Sequence, residues 1–459
     1  MKYLPSFAIP IGAILVATIV FNFSISNQSK FDVDKLLYDR YGEEIIYERV
    51  LMEDFEWEVI TYITAKQCVP NSSPYHNNAV RKDLKQLTDR FGGWFLNPNK
   101  VYSSAEKTFR ETRHQLPSCS DIEYAGGYTS AIGLHARIAA SFITDLGLTF
   151  YQYYFLLSFL SSLLLVLLCY RVYKLFNPLY AVVFYSVSVL SPWFVAGASN
   201  LWVTMYSLLP AMIVASFATS SNKIKILIGI AIALAFKLLC HYEGYTTILL
   251  ATATMYAIAQ LSSAPVNITI KEFIVKALGH GIIVCVIGVG VFIGCLLLHA
   301  FLLAPDNFAS GFKIIVDRLL WRTHGQGVVM DISTIKTTTL QIVNYYLTWR
   351  SWGGPELIYF INGRIFLVLV GIGLAAIIYR NYRNPNLNEK LFALAFVGFL
   401  VSTVSWYVLA AQHSYYHRHY LFILWYFGFV QTLFYVIIRS FALFLSQTPY
   451  ASYLKRFAS

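Results

Sequence analysis

Ten apolar runs, each about as long as a bilayer is thick, punctuate this sequence: residues 4–23, 151–170, 179–198, 201–219, 224–240, 245–261, 277–303, 365–379, 391–411 and 420–441. A helix needs about 20 residues to cross the hydrocarbon core. Lipid offers an open backbone no hydrogen-bond partner, so each run is expected to cross as a helix. Composition agrees, with 57% of the 459 residues hydrophobic and only 13% charged, against roughly 25% charged in soluble domains. That balance excludes a water-soluble enzyme, a disordered chain and a nucleic-acid module. The first run follows Lys2, but its length, Pro5 and Pro10, and the lack of an A-x-A site mark an uncleaved anchor rather than a signal peptide.

Charge divides the chain unevenly. Residues 24–150 hold 14 basic and 17 acidic residues, whereas the remainder holds 21 basic and 7 acidic. The expected architecture is therefore an all-α polytopic membrane protein of about ten transmembrane helices with one soluble insert. Its parts are a first anchor (1–23), an extracytoplasmic helical insert (24–150), helices two to seven (151–303), an extracytoplasmic loop with an interfacial helix (304–364), and helices eight to ten with a tail (365–459). Alternate loops carry Lys2, Arg171, Lys174, Lys223, Lys225, Lys271, Lys276, Arg380, Arg383, Lys390, Arg439, Lys455 and Arg456, with Glu272 and Glu389 as their only acids. The positive-inside rule makes these loops cytoplasmic and both termini cytoplasmic. The insert, the 304–364 loop and the turns at 241–244 and 412–419 then face outside.

Inside the insert, helical spacing is expected over 34–63, 77–91 and 104–115, and the run 138–150 is an amphipathic lead into the second span. Cys68 and Cys119 lie there, while Cys169, Cys240, Cys285 and Cys295 lie in or beside spans. In an oxidising compartment the first two are expected to form a disulfide. The second outside loop opens with an interfacial pattern at 312–322, where Lys313, Asp317, Arg318 and Arg322 oppose apolar residues. It ends in the run from Asn344 to Trp352, in which Arg350 stands between Trp349 and Trp352. That arrangement fits either an aromatic interfacial belt or a site where Arg350 holds a phosphate and Trp349 faces a sugar.

Two clusters place ionisable groups where apolar surroundings penalise them. Glu243, in the turn Cys240-His-Tyr-Glu-Gly-Tyr245, is the only acid between Asp145 and Glu272, and Lys237 sits inside the preceding run. The expectation is an interior Lys237–Glu243 pair lining a cavity, against the alternative of a snorkelling Lys and a solvated Glu. The turn from Gln412 to Tyr420 carries His413, His417, Arg418 and His419. His413 and His417 have the i,i+4 spacing of two metal ligands, but no Cys or acid accompanies them, and contact with a phosphate fits the cationic set better. No Walker loop, G-x-G-x-x-G, G-x-S-x-G or tandem C-x-x-C is present.

The layout, a first span, a long outside segment with early carboxylates and then many spans, resembles the GT-C superfamily of glycosyltransferases, including O-antigen-modifying glucosyltransferases. The segments 128–135, 191–210 with Trp193, Asn200 and Trp202, 237–246 and 405–426 look similar to stretches of such bacterial proteins. Where those enzymes often carry an Asp-Glu or Glu-x-Asp pair, this chain has Asp32-Val-Asp34. The resemblance implies an inner-membrane enzyme that takes a sugar from a polyprenyl-phosphate donor and hands it to a cell-surface glycan on the outer face. It implies Asp34, with Asp32 as its alternative, as acceptor base, and Glu243 as the rival base. Lys237, Arg350, Trp349, His413, His417 and Arg418, with Tyr128, would bind substrate. Partners implied are membrane lipid, the lipid-linked donor, the glycan acceptor and proteins that supply and flip the donor, with no nucleic acid. No metal ligands are assigned, and divalent-metal dependence stays open. A lipid-linked glycan transporter and an O-antigen-type polymerase are the competing classes. Reporter fusions test the topology: those at Lys225, Arg383 and the C-terminus are expected to read cytoplasm, and those at Asn99 and Gly325 outside. An outside signal at Arg383 would break the alternation.

Overall fold

The computed structural model describes residues 8–23, 61–62, 125–127, 131–148, 150–198, 200, 204–324, 338–348, 363–416 and 421–445. Helices dominate them. Helix α1 (Ala8–Phe23) turns Ala17, Thr18 and Phe21 inward, with the Phe21 ring 5.8 Å from that of Phe194, and leaves Ile9, Ile11, Leu15 and Ile19 exposed. A helix that exposes this many apolar side chains suits lipid rather than water. Within the insert, β1 (Thr61–Tyr62) pairs antiparallel with β2 (Ala125–Gly127). The helix expected over 34–63 is thus corrected at its end, where the ladder holds the chain extended. The rest of that stretch, the helices at 77–91 and 104–115, and Cys68 and Cys119 lie outside the described residues.

After α2 (Leu134–Ala140) and a π-helical turn (Ser141–Asp145) come α3 (Phe150–Leu175), α4 (Pro178–Leu190), α5 (Pro192–Ala198), α6 (Met205–Leu208) and α7 (Pro210–Ser216). The continuous spans expected at 179–198 and 201–219 are each broken. Pro192 and Pro210 cause the breaks, because a proline lacks the N–H that a continuing helix needs and clashes with the preceding turn. Asn177 starts α4 by accepting the Tyr180 N–H at 2.8 Å.

Then follow α8 (Lys223–Cys240), α9 (Tyr245–Leu261), α10 (Ile270–Leu303), α11 (Phe308–His324), α12 (Thr339–Thr348), α13 (Gly363–Arg383), α14 (Leu387–Leu409) and α15 (Ala411–Tyr416). A 3-10 turn (Leu421–Tyr426) leads into α16 (Phe429–Leu445), so the run expected at 420–441 is also interrupted. Among the described residues four stretches are long and apolar enough to cross a membrane: Gln152–Leu175, Ile270–Leu303, Gly363–Arg383 and Leu387–Leu409. Helix α9 forms the centre and packs on α14, α10 and α7, nearly every one of its residues buried. Its Ala- and Thr-rich surface and Gly398 of α14 let backbones approach closely; a Cβ at Gly398 would lie 2.5 Å from Thr254 Oγ1.

Several described basic residues lie where helices end and bond across them. Arg171 donates to the Ser216 carbonyl at 2.7 Å, Lys390 to that of Ile268 at 2.5 Å, and Arg380 and Arg439 both reach Glu389. Glu243, His299, Arg322 and His413 lie at the other end of the bundle. Gly428, where α16 begins, has φ +106°, and a Cβ there would meet Phe399 ring carbons at 2.7 Å and 2.8 Å. Gly428→Ala is expected to cost about 1–3 kcal/mol from backbone strain alone. Gly279→Ala, in open space within α10, should be neutral or slightly stabilising; thermal unfolding of the two purified variants checks this.

Candidate functional site

The site grows from the turn between α8 and α9. Helix α8 stops at Cys240 because His241 is extended at φ −164°, and Gly244 at φ +65° folds the chain back into α9. Left-handed backbone at that position favours glycine. The tight turn brings the His241 backbone over the last turn of α8. There the Lys237 ammonium donates to the His241 carbonyl at 2.5 Å and lies 3.0 Å from His241 Nδ1. Lys237 is fully buried.

Four further elements converge on this turn. Helix α2 brings His135, whose ring stands edge-on to that of His241 at 5.6 Å, while the Gly133 N–H donates to the Cys240 carbonyl at 3.3 Å. Helix α15 brings His413, whose Nε2 lies 3.4 Å from Glu243 Oε1, with Trp406 edge-on to the imidazole at 5.5 Å. Helix α10 supplies His299, stacked on Tyr242 with Nδ1 3.0 Å from the phenol oxygen. Helix α11 supplies Arg322, its guanidinium carbon 6.0 Å from the Tyr242 ring centroid. Glu243 and Arg322 are each 8% exposed, so the cluster lies inside the protein but reaches its edge.

Lys237, Arg322 and Glu243 all act electrostatically on the His241 imidazole. Burial holds the His135 imidazole down at about 3, with Lys237 acting in the same sense and Glu243 opposing it. Burial likewise pushes His241 well below its ordinary range, again assisted by Lys237. His413 is lowered by burial against the pull of its bond to Glu243. Burial thus disfavours the charged form of all three imidazoles. The donors of the cluster suit an anionic oxygen group, and among the described residues at this turn Glu243 is the carboxylate placed to accept a proton.

Of the residues singled out in the sequence, Lys237, Glu243 and His413 come together. The expected direct Lys237–Glu243 pair is replaced by two others: Lys237 bonds to His241, and Glu243 pairs with His413. The sharp turn puts a carbonyl nearer the ammonium than the carboxylate is. Asp32, Asp34, Tyr128, Trp349, Arg350, His417 and Arg418 lie outside the described residues. Sequence reasoning missed Arg322, His299, His135 and His241 as members of one site. His299 carried a signal, an ionisable group within an apolar run; Arg322 looked like one more polar residue on an interfacial helix. Among the described residues no group of three or more His, Cys, Asp and Glu is arranged to hold a metal, and Cys169, Cys240, Cys285 and Cys295 are free thiols. Compared with protein-family models, curated proteins and solved structures, the chain matches none of them.

The buried histidines make stability depend on pH. An unfolded chain protonates His near 6.5, whereas these native imidazoles resist protonation down to lower pH. Their contribution is complete above about 6.5 and is lost as pH falls toward the depressed native values. The melting temperature is therefore expected to drop between about pH 7 and pH 5, and His135→Gln should flatten that dependence in thermal scans.

Proposed function

We propose that this chain is a membrane-embedded glycosyltransferase that moves a sugar from a polyprenyl-phosphate donor to a cell-surface glycan on the extracytoplasmic face. The observation supporting it most is the convergence of Lys237, Arg322 and His413 on the turn that carries the Glu243 carboxylate, at the end of the bundle away from Glu389. In this reading the chain crosses a bacterial inner membrane about ten times, both termini are cytoplasmic, and the 24–150 insert and 304–364 loop cover the outer face. The layout resemblance to GT-C enzymes points the same way.

A donor of this kind arrives with its leaving group already activated. The acceptor hydroxyl gives its proton to Glu243, whose other contact, His413, holds the carboxylate in place. The acceptor oxygen bonds to the anomeric carbon as the bond from that carbon to the phosphate oxygen breaks, and the phosphate departs with the bonding electrons. Lys237 and Arg322 stabilise the charge that collects on it. Asp34, or Asp32, is the rival base, and Arg350, His417 and Arg418 are further phosphate contacts in the same proposal.

A second reading, transport of a lipid-linked glycan without bond making, draws support from the breaks at Ser191, Leu209 and Gly428, since interrupted helices commonly surround transported substrate. Glycan mass spectrometry of cells with and without the gene separates the two: a mass loss of one sugar on deletion fits transfer, and accumulation of unmodified lipid-linked glycan fits transport. Glu243→Gln is expected to lower transfer by about 10²–10⁴ at matched expression. If Glu243→Gln and Asp34→Asn both keep near-normal transfer, no carboxylate base operates as described.

A further inference from the structure

At the opposite end of the bundle, three helices bring their ionised groups to one point. Glu389, in the first turn of α14, is 2% exposed. Its Oε1 accepts from Arg380 Nη2 of α13 at 2.8 Å and forms an ion pair with Arg439 Nη2 of α16 at 3.0 Å. Two arginines with a lone carboxylate would be expected to divide its two oxygens, each in a forked pair. They do not. Both use the same oxygen through one nitrogen each, and Glu389 Oε2 is buried without a hydrogen-bond donor.

A guanidinium has five N–H donors. Among the described residues, Arg380 makes no hydrogen bond beyond the one to Glu389, and Arg439 meets Glu389 as an ion pair. Arg439 is fixed in plane by aromatic rings instead, with its guanidinium carbon 4.9 Å from the Phe392 centroid and 5.9 Å from that of Tyr435. The two side chains are 17% and 15% exposed, so the unused edges reach the surface. The cluster carries one net positive charge. The neighbouring Lys390 ammonium is engaged by the Ile268 carbonyl and does not compete for Glu389.

We propose that Arg380 and Arg439 form a binding site for a phosphate group, presented by an anionic phospholipid headgroup or by a soluble phosphate compound, at this end of the bundle. Glu389 holds the two forks at a common point, and their remaining N–H groups take the phosphate oxygens. The planar, bidentate donors of arginine match phosphate geometry in a way that a lysine cannot. This site is separate from the Glu243 cluster and does not depend on the transferase reading.

The test uses full-length protein in phosphatidylcholine vesicles, with and without phosphatidylglycerol, and in phosphatidylcholine vesicles with added inorganic phosphate. Retained lipid is measured by native mass spectrometry and stability by thermal unfolding. Wild type is expected to retain phosphatidylglycerol in preference to phosphatidylcholine, and Arg439→Gln and Arg380→Gln should each lose about fivefold of that preference. Glu389→Gln removes the competing anion and should raise it. If either Arg→Gln variant fails to fold, Arg439→Lys carries the test, because it keeps the charge but loses the fork, and its preference should fall below wild type. Stabilisation by phosphatidylglycerol alone identifies a lipid headgroup; stabilisation by inorganic phosphate as well identifies a soluble source. The proposal is overturned if folded variants keep the wild-type lipid preference and only melt earlier, which would leave a structural clamp.

Discussion

Every part of this fold answers to the absence of water around the backbone. A peptide group in lipid must find its hydrogen bond within the chain, and unbroken helix is the simplest solution, as in α3, α10, α13 and α14. The breaks are the informative places. At Ser191 the side-chain oxygen accepts the Phe194 N–H at 3.2 Å, just past the point where α4 stops. Beside the 3-10 turn, Gln431 donates to the Tyr426 carbonyl at 2.7 Å and to Ser188 at 3.0 Å. Ser188, Ser191, Thr204 and Gln431 are all at most 1% exposed. Interrupted backbone is therefore kept among protein side chains that replace the lost bonds, while apolar residues such as Leu278, Ile282, Val286 and Ile293 are exposed along α10.

The same scarcity of water decides how charge is handled. A buried charge is tolerated when a partner bonds it, and the two ends of the bundle do this differently. At one end, Glu389 is shared between two guanidiniums. At the other end, burial disfavours charge on three imidazoles beside Lys237, Arg322 and Glu243. Removing one member of either cluster leaves an uncompensated ion, which typically costs more than the intact pair contributes. Both clusters therefore hold together helices that are distant in sequence.

Much of this was legible along the chain. Length and hydropathy mark where helices lie, because burial in lipid acts on each run independently of the others. The asymmetry of Lys and Arg marks which loops share an end, and the Arg380, Glu389 and Arg439 convergence agrees with that grouping. The breaks at Pro192 and Pro210 went unread, although proline acts on its own turn of helix whatever surrounds it. Lys237 and Glu243 stood out as ions in apolar stretches, where retention without a role is costly.

What the sequence determined by itself, then, was the set of helical runs, the segregation of basic loops and the presence of ions in unfavourable places. All three are local properties, set by each segment's own free energy of transfer or by its neighbours in the chain. Only the tertiary structure decided which ion meets which. Lys237 turns to the His241 carbonyl because Gly244 folds that turn tightly, and Glu243 is left to His413 because α15 docks beside it. Arg322 joins the cluster because α11 packs on α10 and α15, a contact with no trace in the spacing of either segment. Pairing depends on distances of a few ångströms between segments far apart in sequence, and those distances are set by helix packing.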